Sequence, residues 1–297
     1  MSGTVENHEK CGWIKYSESK LVSLEKKIFQ VLQTAYKGWH VLIDHKPNIK
    51  AKIWTIAMNT ESKNTPLVLL HGFGAGVGFW CLNLDSLATN RPVYAIDILE
   101  RPSDFNPPLW LKTLGIVLYP FTAFNPLATV RAAGPFGPWI VRKMRSDISN
   151  KYAGRLEDHE IISDYIYQCN SQKPTGETAF HKMIKGFGWA KNPMLNRIHN
   201  LDNKVPITVM NGSHTWMDRT VGQKLKEIRQ NSYVGLEIID QAGHHVHADN
   251  PDAFNEIVVH VCNFAETEKR QIVDKVPEND SFHDEEKIST ETQLVTS

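Results

Sequence analysis

His244, Asp218 and the glycines at positions 72, 74 and 76 are the residues of this chain whose types and spacing could do chemistry together. His244 stands in Ala242-Gly243-His244, just after the apolar run 234–240, where a loop imidazole can act as a general base. Asp218 lies in the polar loop after the apolar run that begins at Val205. A carboxylate there could hold an imidazole in one tautomer and stabilise the imidazolium formed on proton abstraction. The alternating glycines let the backbone adopt positive φ and turn N–H groups toward an anion, although a glycine-rich turn without chemistry reads the same in isolation. A base, an orienting acid and a cradle for negative charge are three of the four parts of an acyl-transfer site. The nucleophile is missing. No Gly-x-Ser-x-Gly occurs, the five-residue windows bounded by glycine are GFGAG and GAGVG, and Ser213 belongs to the loop of the acid. His245 and His247 read as neighbours of the base. Three histidines could hold zinc, but no fourth ligand stands at a suitable spacing, so neither metal nor cofactor is expected.

The elements that must position these groups follow from hydrophobic pattern. Residues 49–58 alternate as a strand, 59–66 form a polar turn, and 67–70 is a continuous apolar run emptying into the glycine loop. A short helix is expected over 79–87 and a second buried strand over 92–99, ending near Asp97. The chain then changes character: ERPSDFNPP, with three prolines, permits neither a continuing strand nor an immediate helix. Residues 110–145 are apolar and broken by Pro120, Pro126, Pro135 and Pro138. They suit a lid over a lipid-binding cavity, a segment lying on a membrane surface, or ordinary helical packing. Residues 157–169 read as a helix and 173–189 as lid or connector. From Val205 the order is strand, acid loop, strand, histidine loop, then a helix opened by Pro251 and carried by Phe254, Ile257, Val258 and Val261.

Composition narrows the class. The 33 basic and 33 acidic residues balance, so no global field favours nucleic acid. The four cysteines, Cys11, Cys81, Cys169 and Cys262, are far apart and suit free thiols in a reducing compartment. No apolar run approaches the length of a spanning helix, and the polar N-terminus does not read as a secretory signal. Residues 20–42 fit one amphipathic helix flanked by Trp13, Tyr16, Tyr36 and Trp39; these aromatics either cover the core or anchor at a lipid–water interface. Residues 266–297 are dominated by charge and hydroxyls and read as a disordered tail.

The segments KIWTI, TPLVLLHGFGAGVGFW, NRPVYAIDIL, PFTAFNPLATVRAAGPFG, DYIYQCN, PTGETAF, GWAKNPML and AGHHVHADNPDAFN closely resemble the α/β-hydrolase domain-containing proteins 4 and 5, over about residues 50–264. The resemblance implies an α/β-hydrolase fold with a helical lid, in five stretches: an aromatic segment 1–48, core 49–99, lid and connector 100–200, core 201–265 and tail 266–297. It further implies lysophospholipid or carboxylic ester hydrolysis, or acyl transfer to lysophosphatidic acid, in phospholipid and triglyceride turnover. One family member is a serine lysophospholipase; the other carries Asn at the nucleophile and co-activates a triglyceride lipase on lipid droplets. By resemblance the acid falls on Asp218, the oxyanion loop on Phe73 and Gly74, and a His-x4-Asp acyltransferase-type motif on His244 and Asp249. The elbow falls on nothing, because Leu99 runs directly into the lid. The missing helix, elbow strand, helix and next strand would take on the order of 60 residues, which implies an internal deletion and a catalytically impaired chain. The implied ligands are a lysophospholipid or acyl lipid. The implied partners are a droplet or membrane surface, mitochondria-associated ones included, and a triglyceride lipase, in a cytoplasmic protein. With two ladder positions gone, strands 67–70 and 207–210 are expected to pair directly, since unpaired backbone groups are costly. The other outcome is a gap with two exposed edges.

Overall fold

The structure, a computed structural model, describes residues 16–46, 49–97, 126–172, 174–185 and 189–273. Trp13, Cys11 and the join after Leu99 lie outside them. In chain order the α-helices are α1 (Glu18–Ile28), α2 (Leu84–Leu87), α3 (Pro126–Ala132), α4 (Gly137–Met144), α5 (Ser146–Asn150), α6 (Ile161–Ser171), α7 (Thr175–Met183), α8 (Thr220–Ile228), α9 (Val246–Asp249) and α10 (Pro251–Val273). The strands are β1 (Lys37–Lys46), β2 (Ile49–Met58), β3 (Leu67–Leu70), β4 (Val93–Ile96), β5 (Ile184–Lys185), β6 (Trp189–Ala190), β7 (Ile207–Gly212) and β8 (Val234–Ile239). The chain divides into one unit formed by Met1–Ile28 with Ser103–Pro174, and a second formed by Phe29–Pro102 with Thr175–Ser297.

The amphipathic helix expected over 20–42 is shorter than its pattern. It stops at Ile28, and the chain enters β1 at Lys37. Two facts divert it. The Asp85 carboxylate accepts the N–H groups of Gln33 and Thr34, both at 2.9 Å, which turns the chain. Gly38 then lies across from Ile56, where a Cβ would come within 2.8 Å of the Trp54 ring.

In the second unit β1, β2, β4 and β3 form one sheet in that spatial order, with β3 and β4 parallel and paired Leu67↔Val93 through Leu70↔Ile96. Ile56, Ala57, Met58, Leu69, Val93 and Ala95 are buried in it. β7 and β8 form a separate parallel pair, Ile207↔Val234 through Gly212↔Ile239. Among the described residues β3 pairs only with β4 and β7 only with β8, so the direct pairing expected between β3 and β7 does not form. Helix α10 joins the halves instead: it touches both β8 and α2. The buried Asn83 amide donates to Asn255 Oδ1 (2.9 Å) and to the His247 carbonyl (3.0 Å), and Asn255 Nδ2 donates to the Leu82 carbonyl (3.3 Å). Further along α10, Asn263 Oδ1 accepts from Arg91 Nη2 (2.8 Å), and Glu266 Oε1 accepts the Thr65 N–H (3.1 Å) while its Oε2 lies 3.6 Å from Arg91 Nη1. With these contacts the 23-residue helix continues to Val273, past the point where the sequence reads as tail.

The first unit packs α1 and α3 to α5 around α6, whose Ile162, Tyr165 and Tyr167 are buried. Tyr167 donates from its hydroxyl to the Gly134 carbonyl (2.7 Å), and Arg142 bonds Asp164 (3.0 Å) and reaches Glu160 (3.3 Å).

Candidate functional site

The glycine loop springs from the end of β3, beside the end of β4. Gly74 takes φ +75°, the left-handed region where glycine is favoured. Asp97, just beyond β4, clamps the loop at both ends: its Oδ1 accepts the Val77 N–H at 2.9 Å and lies 3.5 Å from His71 Nε2. His71 Nδ1 faces the Gly72 carbonyl at 2.9 Å, and a carbonyl can only accept, so Nδ1 carries a proton. Burial pushes the Asp97 carboxyl up from its ordinary value, while the His71 charge and the Val77 hydrogen bond pull it back. Phe73 is exposed and stacks on Phe180 of α7, with ring centres 4.5 Å apart. Its N–H donates to nothing among the described residues, which leaves it free to meet an anion.

The loops carrying Asp218 and His244 are stitched together at their roots. The Ser213 N–H donates to the Ile239 carbonyl and the His214 N–H to the Ala242 carbonyl, both at 2.9 Å; the Gln241 N–H donates to Ser213 Oγ at 3.0 Å. Gly212 sits where they cross, and a Cβ there would fall 2.2 Å from the carbonyl oxygens of Ala242 and Gly243. This close approach is a positioning feature the sequence reading missed; a glycine ending a strand was its only sign.

Beyond these roots the candidate residues diverge. His244 is exposed, with Trp216 tilted over it at 5.3 Å between centres and His245 edge-on at 5.2 Å. Asp218 forms no hydrogen bond to His244 among the described residues. Its carboxylate accepts from Thr220 N (2.9 Å) and Thr220 Oγ1 (2.8 Å) at the start of α8, and these two bonds, with the nearby Lys224 charge, hold its pKa below the ordinary value. Asp249 Oδ2 accepts the Gly243 N–H at 2.9 Å, bracing the loop one residue before the base. His247 packs between Trp80 (4.7 Å) and Phe254 (6.2 Å). Among the described residues no group of His, Cys, Asp and Glu could hold a metal ion. Nor does Cys81 replace the missing nucleophile: burial pushes its thiol up to about 12, which keeps it protonated at neutral pH.

Parallel strands that end in a glycine loop, an acid loop and a histidine loop, followed by a long helix, define an α/β hydrolase. Solved structures agree on the fold: a putative hydrolase of Bacillus subtilis (TM-score 0.50, 14% identity, 82% of this chain and 99% of that one) and a membrane phospholipase A described as a bacterial virulence factor (TM-score 0.51, 12% identity, 83% and 91%). No family model matches the chain. Whole-length relatives do: the (lyso)-N-acylphosphatidylethanolamine lipase of Mus musculus is 36% identical, over 83% of this chain and 92% of its own. The 1-acylglycerol-3-phosphate O-acyltransferase ABHD5 of Homo sapiens is 34% identical, over 88% and 97%. The chain belongs to the family of α/β-hydrolase domain-containing proteins 4 and 5, the lipid-metabolism α/β hydrolases.

Proposed function

We propose that this chain binds an acyl lipid of the lysophospholipid type at the glycine loop and does not hydrolyse it through an acyl-enzyme. The observation that carries the reading is a retained base and anion-facing loop without any Gly-x-Ser-x-Gly serine, an acid engaged with Thr220, and a buried thiol that stays protonated. Loss of an internal segment accounts for the missing elbow. It is supported by the alignment to the lipase relative, which spans 324 positions, more than the 297 residues of the chain, and so runs through residues that have no counterpart here. Phe73 and Gly74 would face the lipid's carbonyl or phosphate, with His244 beside it and Asp249 holding the base's loop. Such a protein would work at the cytoplasmic surface of lipid droplets or intracellular membranes, and it would regulate a triglyceride lipase rather than replace one.

A fluorophosphonate probe tests the chemistry on the purified chain. The expected result is no labelling, and lysophospholipid turnover indistinguishable from that of His244→Ala. Turnover abolished by His244→Ala would overturn the reading, since it would demand a nucleophile elsewhere.

A further inference from the structure

Helix α4 buries its small side and exposes its large one. Toward the rest of its unit it presents Gly137 and Val141, both buried, and a Cβ at Gly137 would fall 2.0 Å from the Tyr167 ring. Toward solvent it presents Trp139 and, from the turn before it, Phe136, each 63% exposed, with Met144 at 70%. Ile140 is half-buried between them and Lys143 is exposed. At 3.6 residues per turn these five positions fall within an arc of about 140°. A helix of a water-soluble protein turns that arc inward.

Charge says what covers it. The chain is neutral overall, but residues 126–146 contain Arg131, Arg142, Lys143 and Arg145 and no acidic residue. Arg142 is engaged by Asp164 and Glu160, and Arg145 by Asp147. Lys143, in the middle of the apolar arc, has no ion-pair partner among the described residues. A Trp, a Phe and a Met flanking one uncompensated lysine match a lipid–water interface: the apolar groups enter the acyl boundary and the ammonium stays with headgroup phosphate. We infer that this face of α4 docks on anionic phospholipid membrane. The inference deepens the reading above, because a protein that takes its ligand from a lipid surface must lie on one.

Flotation of the full chain with extruded vesicles tests it. The wild type is expected to float with phosphatidylcholine/phosphatidylserine vesicles and less with phosphatidylcholine alone, with binding reduced by salt. Phe136→Ala/Trp139→Ala should bind at least tenfold more weakly on both, and Lys143→Glu more weakly on the anionic vesicles alone. Because a variant can misfold, hydrogen exchange on the wild type supplies a second measurement, with vesicles expected to protect residues 136–145. Unchanged flotation of the double variant, or exchange in this segment unaffected by vesicles, would overturn the inference. So would a shift of the double variant from dimer to monomer without a change in flotation, which would make the face a protein interface. Binding of monomeric lysophospholipid in vesicle-free buffer is measured alongside. If it is absent while flotation depends on α4, the lipid-site reading fails and the membrane face stands.

Discussion

Asp97 organises the glycine loop more than any residue within it. One half-buried carboxylate oxygen holds both ends of a seven-residue loop, through His71 and the Val77 N–H. The direction of its shift has a consequence for stability. A carboxyl whose folded pKa lies above its unfolded value of about 3.9 binds its proton more tightly in the folded state, so its contribution is fullest below that value and is lost as pH rises through the folded pKa. Asp97→Asn keeps the size and a hydrogen-bonding oxygen but does not titrate. Its unfolding midpoint in urea should therefore lack the part of the wild-type decline that begins near pH 4. Parallel midpoint curves for the two proteins from pH 4 to 8 would contradict this account.

At the scale of elements, two buried arginines do what the short strands cannot. Arg229, at the end of α8, donates to the carbonyls of Ile198, Leu201, Asp202 and Val205 and to Ser232 Oγ, which pins the loop before β7 to the turn before β8. Arg91 does the same between the turn before β4 and α10. Arg229→Met fills the space of the stem and leaves those carbonyls without a donor, so a loss on the order of 3 kcal/mol is expected by chemical denaturation. A loss under 1 kcal/mol would mean that water replaces the guanidinium. Neither arginine was legible beforehand, because a guanidinium in a polar loop has the same sequence signature whether it is solvated or buried. The strands β2, β3, β4, β7 and β8 were legible, β2 from its alternation and the others as apolar runs ended by glycine, proline or polar turn residues.

At the scale of the molecule, two half-sheets are joined by a helix instead of by their own edges. β3 consequently keeps one edge unpaired among the described residues and exposes Val68 (53%) and Leu70 (61%). An exposed apolar edge presents unpaired backbone groups to which another strand can add. Val68→Lys/Leu70→Lys should lower light scattering on storage while leaving the thermal midpoint within about 2 °C, as surface changes usually do. Scattering equal to that of the wild type would show that the edge is already covered.

What the sequence determined by itself was local or depended on chain order. The strand runs, the glycine loop, the histidine loop, the helix start at Pro251 and the missing nucleophile all follow from residue type and spacing, and so does the family, while the positive φ falls on Gly74 alone of the three glycines only in the folded chain. Tertiary structure alone decided what each side chain touches. Asp218 turned to Thr220 because a hydroxyl and an N–H two residues away are closer than an imidazole on another loop. β1 replaced the end of a helical pattern because Gly38 fits under Trp54. The half-sheets met through Asn83 and Asn255 of α10, since buried amides at that junction must find partners, and partners far apart in the chain leave no periodicity to read.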